Sequence, residues 1–338
     1  MGFVVAVVGA TGAVGREMLA TLEKRKFPIS ELVCLASPRS AGSKVTFNGR
    51  ETTIRATTAD AFKGVQIALF SAGASIAREM GPAAAAAGAV VIDNSSAWRQ
   101  DDKCPLIIPE VNAHAIKDRP RGIIANPNCS TIQMLVALKP LHDAAKLRHI
   151  VVSTYQATSG KGHAAVEDLL QQARALANGE PVKPTVFPGQ MAQNLLCDWK
   201  PSQMEGGEGY SEEETKMIFE TQKIMGDLTI GVSPTCVRVP VVNAHSESVH
   251  AKFARPLSVK EACDLLRNAP GVILDERPYA PAAHPQPIHA SGKDEVFVGR
   301  IRKDFADPNA LNLWIVGDNL LKGAALNAVQ IAERVITE

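Results

Sequence analysis

The chain has 338 residues, 46% hydrophobic and 21% charged, with a formal net charge of +1. That length exceeds what one hydrophobic core usually supports, so two domains are expected. The near-neutral charge gives no general pull toward nucleic acid or a membrane surface. The six cysteines (34, 104, 129, 197, 236, 263) are scattered, with no CxxC pair and no zinc-like His spacing. A reduced, cytoplasmic chain without a metal site is expected.

The first third alternates strands and helices. Residues 3–8 form a continuous apolar strand that runs straight into a glycine loop, so this start reads as a strand and not a signal peptide. A helix over 15–24, strands over 31–37 and 65–71, a helix over 75–87 and a strand over 90–94 follow, with short strands at 106–109 and 122–125. This βα alternation predicts a doubly wound, Rossmann-type sheet. Gly9-Ala10-Thr11-Gly12-Ala13-Val14-Gly15 joins the first strand to the first helix. Glycines there allow a tight turn and let a pyrophosphate sit on the helix N-terminus. The spacing is GxxGxxG, one position off the dinucleotide fingerprint, and a ligand-free turn is the alternative. The second strand ends in Ala36-Ser37-Pro38-Arg39-Ser40-Ala41-Gly42, with no carboxylate to hold ribose hydroxyls. Arg39 and the Ser hydroxyls suit a 2′-phosphate, hence NADP rather than NAD; a solvated Arg on a turn is the bland alternative.

Asn126-Pro127-Asn128-Cys129-Ser130-Thr131 precedes the apolar run 132–138. Cys129 therefore sits where a loop enters a helix, whose free N–H groups and dipole favour a thiolate nucleophile. Taken alone, it reads more readily as a small buried cysteine, and only the rest of the chain reverses that. Beyond it the pattern becomes α+β. Strands are expected at 149–156, 235–242, 246–254, 295–304 and 311–318, and helices at 163–177, 211–225 (Ser211 as N-cap, Glu214 three residues on) and 259–268. One long amphipathic helix over 319–336 is expected to close the chain. Segment 178–209, rich in Pro, Gly and polar residues, reads as an excursion. No apolar run is long enough to span a bilayer.

Together these motifs resemble the aspartate-β-semialdehyde dehydrogenases over nearly the whole chain. The matching pieces are Gly9–Gly15, Ser37–Gly42, Ser71-Ala72-Gly73, Asp93-Asn94-Ser95-Ser96-Ala97-Trp98-Arg99, Pro109-Glu110-Val111-Asn112, Asn126–Thr131 and Tyr155-Gln156-Ala157-Thr158-Ser159-Gly160. Glu213-Glu214-Thr215-Lys216, Arg238-Val239-Pro240 with His245, Gly317-Asp318-Asn319 and Lys322-Gly323-Ala324-Ala325 complete the set.

The resemblance implies Cys129 as nucleophile, His245 as general acid/base and Gln156 as the residue orienting substrate. Arg238 would clamp the substrate α-carboxylate and Glu213 face its ammonium, while Arg99 and Lys216 would bind phosphate. Gly9, Thr11, Gly12, Ala13, Val14, Arg39, Ser40, Ser71, Ala72 and Gly73 would hold NADP, with Ser159, Gly160 and Asn319 at its nicotinamide side. Read without the family, His245 could be structural, Arg238 could face solvent by strand alternation, Glu213–Lys216 could be a surface ion pair and Arg99 a solvated loop charge.

The implied fold is a Rossmann-type NADP-binding domain (1–130 and 319–338) plus an α+β catalytic and dimerisation domain with a mixed sheet (131–318). The implied reaction is reversible NADPH-dependent reductive dephosphorylation of L-aspartyl 4-phosphate to L-aspartate 4-semialdehyde, in lysine, threonine and methionine synthesis. The alternatives are N-acetyl-glutamyl-phosphate reductase, whose substrate lacks a free ammonium for Glu213, and a catalytically silent nucleotide-binding paralogue. Segment 178–209 departs from the family pattern in length and composition. In this family it contacts the partner subunit of a homodimer or tetramer.

Overall fold

The computed structural model describes residues 2–337 and divides them into two compact units. One runs to Asn128 and resumes at Ala324; the other is Cys129–Gly323.

The first unit is built in the order β1 (Phe3–Val8), α1 (Ala13–Lys24), β2 (Ile29–Ala36), β3 (Lys44–Phe47), β4 (Arg50–Thr53), β5 (Arg55–Ala56), β6 (Ile67–Phe70), α2 (Ala74–Ala86), β7 (Val90–Asp93), α3 (Pro109–Asn112) and β8 (Ile123–Ala125). Its sheet is wholly parallel, ordered β5-β2-β1-β6-β7-β8. The continuous apolar runs of β1 and β6 are explained by burial on both faces: Val5, Val7, Ile67 and Leu69 meet α1, and Ala6, Val8, Ala68 and Phe70 meet α2. One expectation is corrected. Residues 106–109 are not a strand: Leu106 makes one bridge to Ala125, and Pro109 starts α3, where its fixed φ suits a first helical turn. The hairpin β3–β4 is an addition, turned by Asn48-Gly49, both at positive φ. Asn-Gly between strands is its signal in the sequence.

The second unit comprises α4 (Cys129–Ala145), β9 (Leu147–Gln156), α5 (His163–Ala177), α6 (Glu212–Met225), β10 (Gly231–Arg238), β11 (His245–Phe253), α7 (Val259–Arg267), β12 (Val272–Asp275), α8 (Pro287–Ala290), β13 (Val296–Lys303) and β14 (Ala310–Gly317). The mixed sheet runs β10-β9-β11-β14-β13-β12, parallel at the two outer pairs and antiparallel between them. Helix α4 is almost wholly buried and packs on β9, β11 and β14. Helix α6 opens with a reciprocal capping box between Ser211 and Glu214, as the sequence indicates. The strand expected at 235–242 lies four residues earlier. Pro234 does not bound it, because β10 is an edge strand and a missing N–H there breaks no ladder bond. Strand β12 is a further addition.

The single helix expected over 319–336 is interrupted. The Gly323 N–H bonds to Asp318 O, five residues back, giving a π-helical turn over Leu321–Ala325 before α9 (Leu326–Val335). Such wide turns are inserted where local geometry is under functional constraint. Helix α9 lays Ala328, Val329, Ile331 and Ala332 on the first sheet beside Met18 and Leu22 of α1. Arg25 and Glu333 close that contact with a two-pronged ion pair at 2.6 and 2.7 Å. Among the described residues no helix is long and apolar enough to cross a membrane.

Candidate active site

Strand register assembles one set of residues. Arg238 on β10 pairs with Gln156 on β9, and His245 on β11 pairs with Gly317 on β14. These strand ends form one row, and Arg238, Gln156 and His245 are buried there. The alternation argument for a solvent-facing Arg238 fails because this face of the sheet is covered by helices.

Cys129 is the first residue of α4 and is half-buried. The sulfur thus lies at the positive end of a seventeen-residue helix, which favours the thiolate. Gly323 lies directly against it: a Cβ there would sit 2.8 Å from Cys129 Cβ. The π turn thus brings bare backbone against Cys129. Gln156 Nε2 donates to Ser130 Oγ (2.6 Å), the next residue of α4, and to Glu213 Oε1 (3.1 Å).

His245 is fully buried, and its Nδ1 accepts the Ala157 N–H at 2.9 Å. An amide can only donate, so Nδ1 keeps its lone pair and the ring proton resides on Nε2. Burial and the Arg238 charge hold the imidazole neutral, pushing it down to about 3, against a smaller opposing effect of Glu213. His245 Nε2 has no protein partner, and a Cβ on Gly160 would stand 3.2 Å from both it and Arg238 Nη1. The space kept open by Gly160 is therefore faced by a hydrogen-bond donor and a guanidinium. Ala244, just before it, is held at φ 71°, a conformation L residues adopt with strain.

Arg238 donates to Ala157 O (2.9 Å), lies 3.4 Å from Asp198 and stacks on Trp199 at 4.7 Å. Asp198 also binds Lys161 at 2.6 Å. Both Asp198 and Trp199 come from the 178–209 excursion, where no periodic pattern marks them. Glu213 is buried, with Lys216 Nζ 3.2 Å away, so the pair is no exposed ion pair. Ser159 Oγ accepts from Asn319 Nδ2 and donates to Asn243 Oδ1, both at 2.9 Å, and Asn319 Oδ1 takes the Ala244 N–H at 3.0 Å.

The first unit holds its own set. Gly9 has φ 87°, and a Cβ there would lie 2.5 Å from Ser71 O; one on Gly15 would lie 2.1 Å from Gly9 O. Thr11, Gly12, Ala13 and Val14 span the entry to α1, whose N-cap residue Gly12 has no side chain to cap the first N–H groups, an arrangement suited to a phosphate. Ala72 and Gly73 lead into α2, uncapped likewise. Beta-strand β2 ends at Ala36 without a carboxylate, and Arg39 and Ser40 follow in a short helical turn with Arg39 exposed. These residues fit a phosphorylated dinucleotide. Arg99, buried in the loop after β7, donates to Asn94 O (3.0 Å) and Ser95 O (3.1 Å). Asn126, in the turn before Cys129, is tied to Asn94 Oδ1 at 2.6 Å and receives Asn327 Nδ2 at 2.7 Å. No group of metal-ligating side chains occurs among the described residues.

The depressed His245 has a stability consequence. The unfolded chain takes up its proton near the ordinary imidazole value of 6.5, whereas the folded chain resists until about 3. Stability should therefore fall as pH drops through that window. In urea titrations at pH 7 and pH 4.5, His245→Gln should lose less stability between the two than the parent protein. Equal losses would mean that His245 is not held neutral by the fold.

The chain matches two family models: the semialdehyde dehydrogenase NAD binding domain over residues 4–119 and the semialdehyde dehydrogenase dimerisation domain over 138–322. The aspartate-semialdehyde dehydrogenase of Aquifex aeolicus is 52% identical, covering 100% of this chain and 99% of the relative. That of Bacillus subtilis is 49% identical over 98% and 97%. A crystal structure of aspartate semialdehyde dehydrogenase II from Vibrio cholerae, complexed with ASA, is 46% identical, with a TM-score of 0.93 and coverage of 100% and 99%. The chain belongs to the aspartate-semialdehyde dehydrogenase family.

Proposed function

We propose that this chain reduces L-aspartyl 4-phosphate to L-aspartate 4-semialdehyde and phosphate, reversibly and with NADPH, through a thioester on Cys129. The observation that carries the reading is the sulfur at the start of α4, grouped in one unit with a neutral imidazole donor, a buried carboxylate and a buried guanidinium. The first unit is then the NADP-binding part, and the second the catalytic and dimerising part.

In the biosynthetic direction the Cys129 thiolate attacks the acyl phosphate carbon, and the C–O bond to phosphate breaks. Lys216 and Arg99 hold the departing phosphate, which takes up the proton consumed overall. Arg238 grips the α-carboxylate, and Glu213 pairs with the ammonium, the pairing that separates this substrate from an N-acetylated one. Gln156 orients the substrate beside Cys129. NADPH, when bound, supplies the hydride that reduces the thioester carbonyl. His245 Nε2–H donates to the oxyanion at that carbon, in the manner of an oxyanion hole. The oxyanion then collapses and expels the Cys129 thiolate. No proton enters or leaves in this half, so a donor at Nε2 is sufficient.

The assembly proposed is a homodimer in a cytoplasmic setting. The sheet face opposite α4 carries exposed Val151 and Tyr155, and Tyr155 leans on Trp314 at 5.5 Å. Exposed apolar side chains on an open sheet face suit a second copy, as the matched dimerisation domain would require.

Two measurements test this reading. Acid-quenched mixing with aspartyl phosphate, without NADPH, should leave an aspartyl adduct on the Cys129 peptide of the parent and none on Cys129→Ser, which should also lose turnover. An unlabelled Cys129 peptide, or an active serine variant, contradicts the nucleophile. Arg39→Ala should raise KM for NADP by about tenfold or more while leaving that for NAD within about twofold, since one charge-assisted contact to the 2′-phosphate is lost. Equal changes would remove Arg39 from the 2′-phosphate.

A further inference from the structure

Beneath the catalytic row lies a buried acid that the mechanism does not use. Glu247 follows His245 by two residues on β11, so both point to the face covered by α4. It is flanked in register by Thr154 and Ile315 and is fully buried, and neither carboxyl oxygen meets a donor. Gln133 stands one helical turn after Cys129 on α4. Its Nε2 donates to the His245 carbonyl at 3.4 Å, and its Oε1 is a second buried acceptor without a donor. The absent Cβ of Gly317 leaves room for this side chain; a Cβ there would lie 3.0 Å from Gln133 Oε1. Glu247 is the next residue on this sheet face after His245, whose carbonyl takes the Gln133 amide and whose partner Gly317 lies against the Gln133 side chain, so the two orphaned groups occupy neighbouring positions on facing elements.

Facing acceptors of this kind are satisfied together only when the carboxyl keeps its proton and donates it to the amide. Burial pushes the Glu247 carboxyl well above the usual carboxylate range, in keeping with that arrangement.

We propose that Glu247 and Gln133 form a buried hydrogen-bonded pair that ties the strand end carrying His245 to the helix turn carrying Cys129, and so sets the spacing between imidazole and sulfur. The pair touches neither substrate nor cofactor; it is a positioning device, resting on the reading of Cys129 and His245 as the reacting groups. Placement errors of a fraction of an ångström at such a pair lower kcat while leaving ground-state binding alone.

The test is steady-state kinetics and thermal melting on Glu247→Gln, Glu247→Leu, Gln133→Leu and the double leucine variant, with Cys129→Ser alongside. The Gln variant keeps a neutral donor and should stay within about twofold of the parent kcat, whereas Glu247→Leu and Gln133→Leu should each lose about tenfold in kcat with both KM values within about twofold. The double variant should be no slower than the slower single one, because both break the same link. Parent-like kcat in the two leucine variants, multiplying losses in the double, or a Gln variant as slow as Glu247→Leu would overturn the pair. Should Glu247→Leu fail to fold, Gln133→Leu and Glu247→Gln decide between the same outcomes. An active Cys129→Ser would instead overturn the underlying site reading.

Discussion

One hydrogen bond constrains the chemistry of this site: the Ala157 N–H to His245 Nδ1. An amide offers a proton and cannot take one. The imidazole must therefore present N–H, not a lone pair, from its other nitrogen, and protonating it would set two N–H groups against each other. Burial and Arg238 act in the same direction. A histidine so fixed is a poor base for a thiol, so the proposed reaction needs another source for an ionised sulfur. The start of α4 provides it, since Cys129 is the first helical residue. The proposed reaction agrees with that division. When thiolate is both the entering and the leaving group, the carbonyl oxygen needs stabilisation and no proton shuttle.

The same economy of motion governs the charged groups. Arg238 is held by Asp198, by the Ala157 carbonyl and by the Trp199 ring, and Glu213 by Gln156 and Lys216. Charges buried this way are held in one orientation by the protein alone, so in the proposed reaction substrate binding need not immobilise them. Strain accompanies this order. Ala244 is held in the left-handed region at the residue that aims His245, and the π turn carries Gly323 against the cysteine.

Much of this was legible in the sequence, for identifiable reasons. The parallel sheet showed itself because strands buried on both faces are apolar without interruption, as in residues 3–8. The start of α4 was marked by Asn126-Pro127-Asn128 before an apolar run, and α6 by its Ser211–Glu214 capping pair. Alternation, in contrast, tells which residues share a face and not which face is covered, so without the family resemblance it left Arg238 as readily exposed as buried, and it is buried. Asp198 and Trp199 lie in irregular chain, where a contact depends on tertiary path alone. The π turn left no mark, since 319–336 keeps helical spacing on both sides of it. Glu247 was invisible for a related reason: a carboxylate in a strand reads as a solvent-facing residue until the helix above it is known.

Nitrogen-15 NMR of the His245 ring in uniformly imidazole-labelled protein tests the central claim most directly. The account predicts a neutral ring with the proton on Nε2 at pH 7, unchanged on lowering the pH to 5. A ring that is cationic by pH 6, or one protonated on Nδ1, would contradict it.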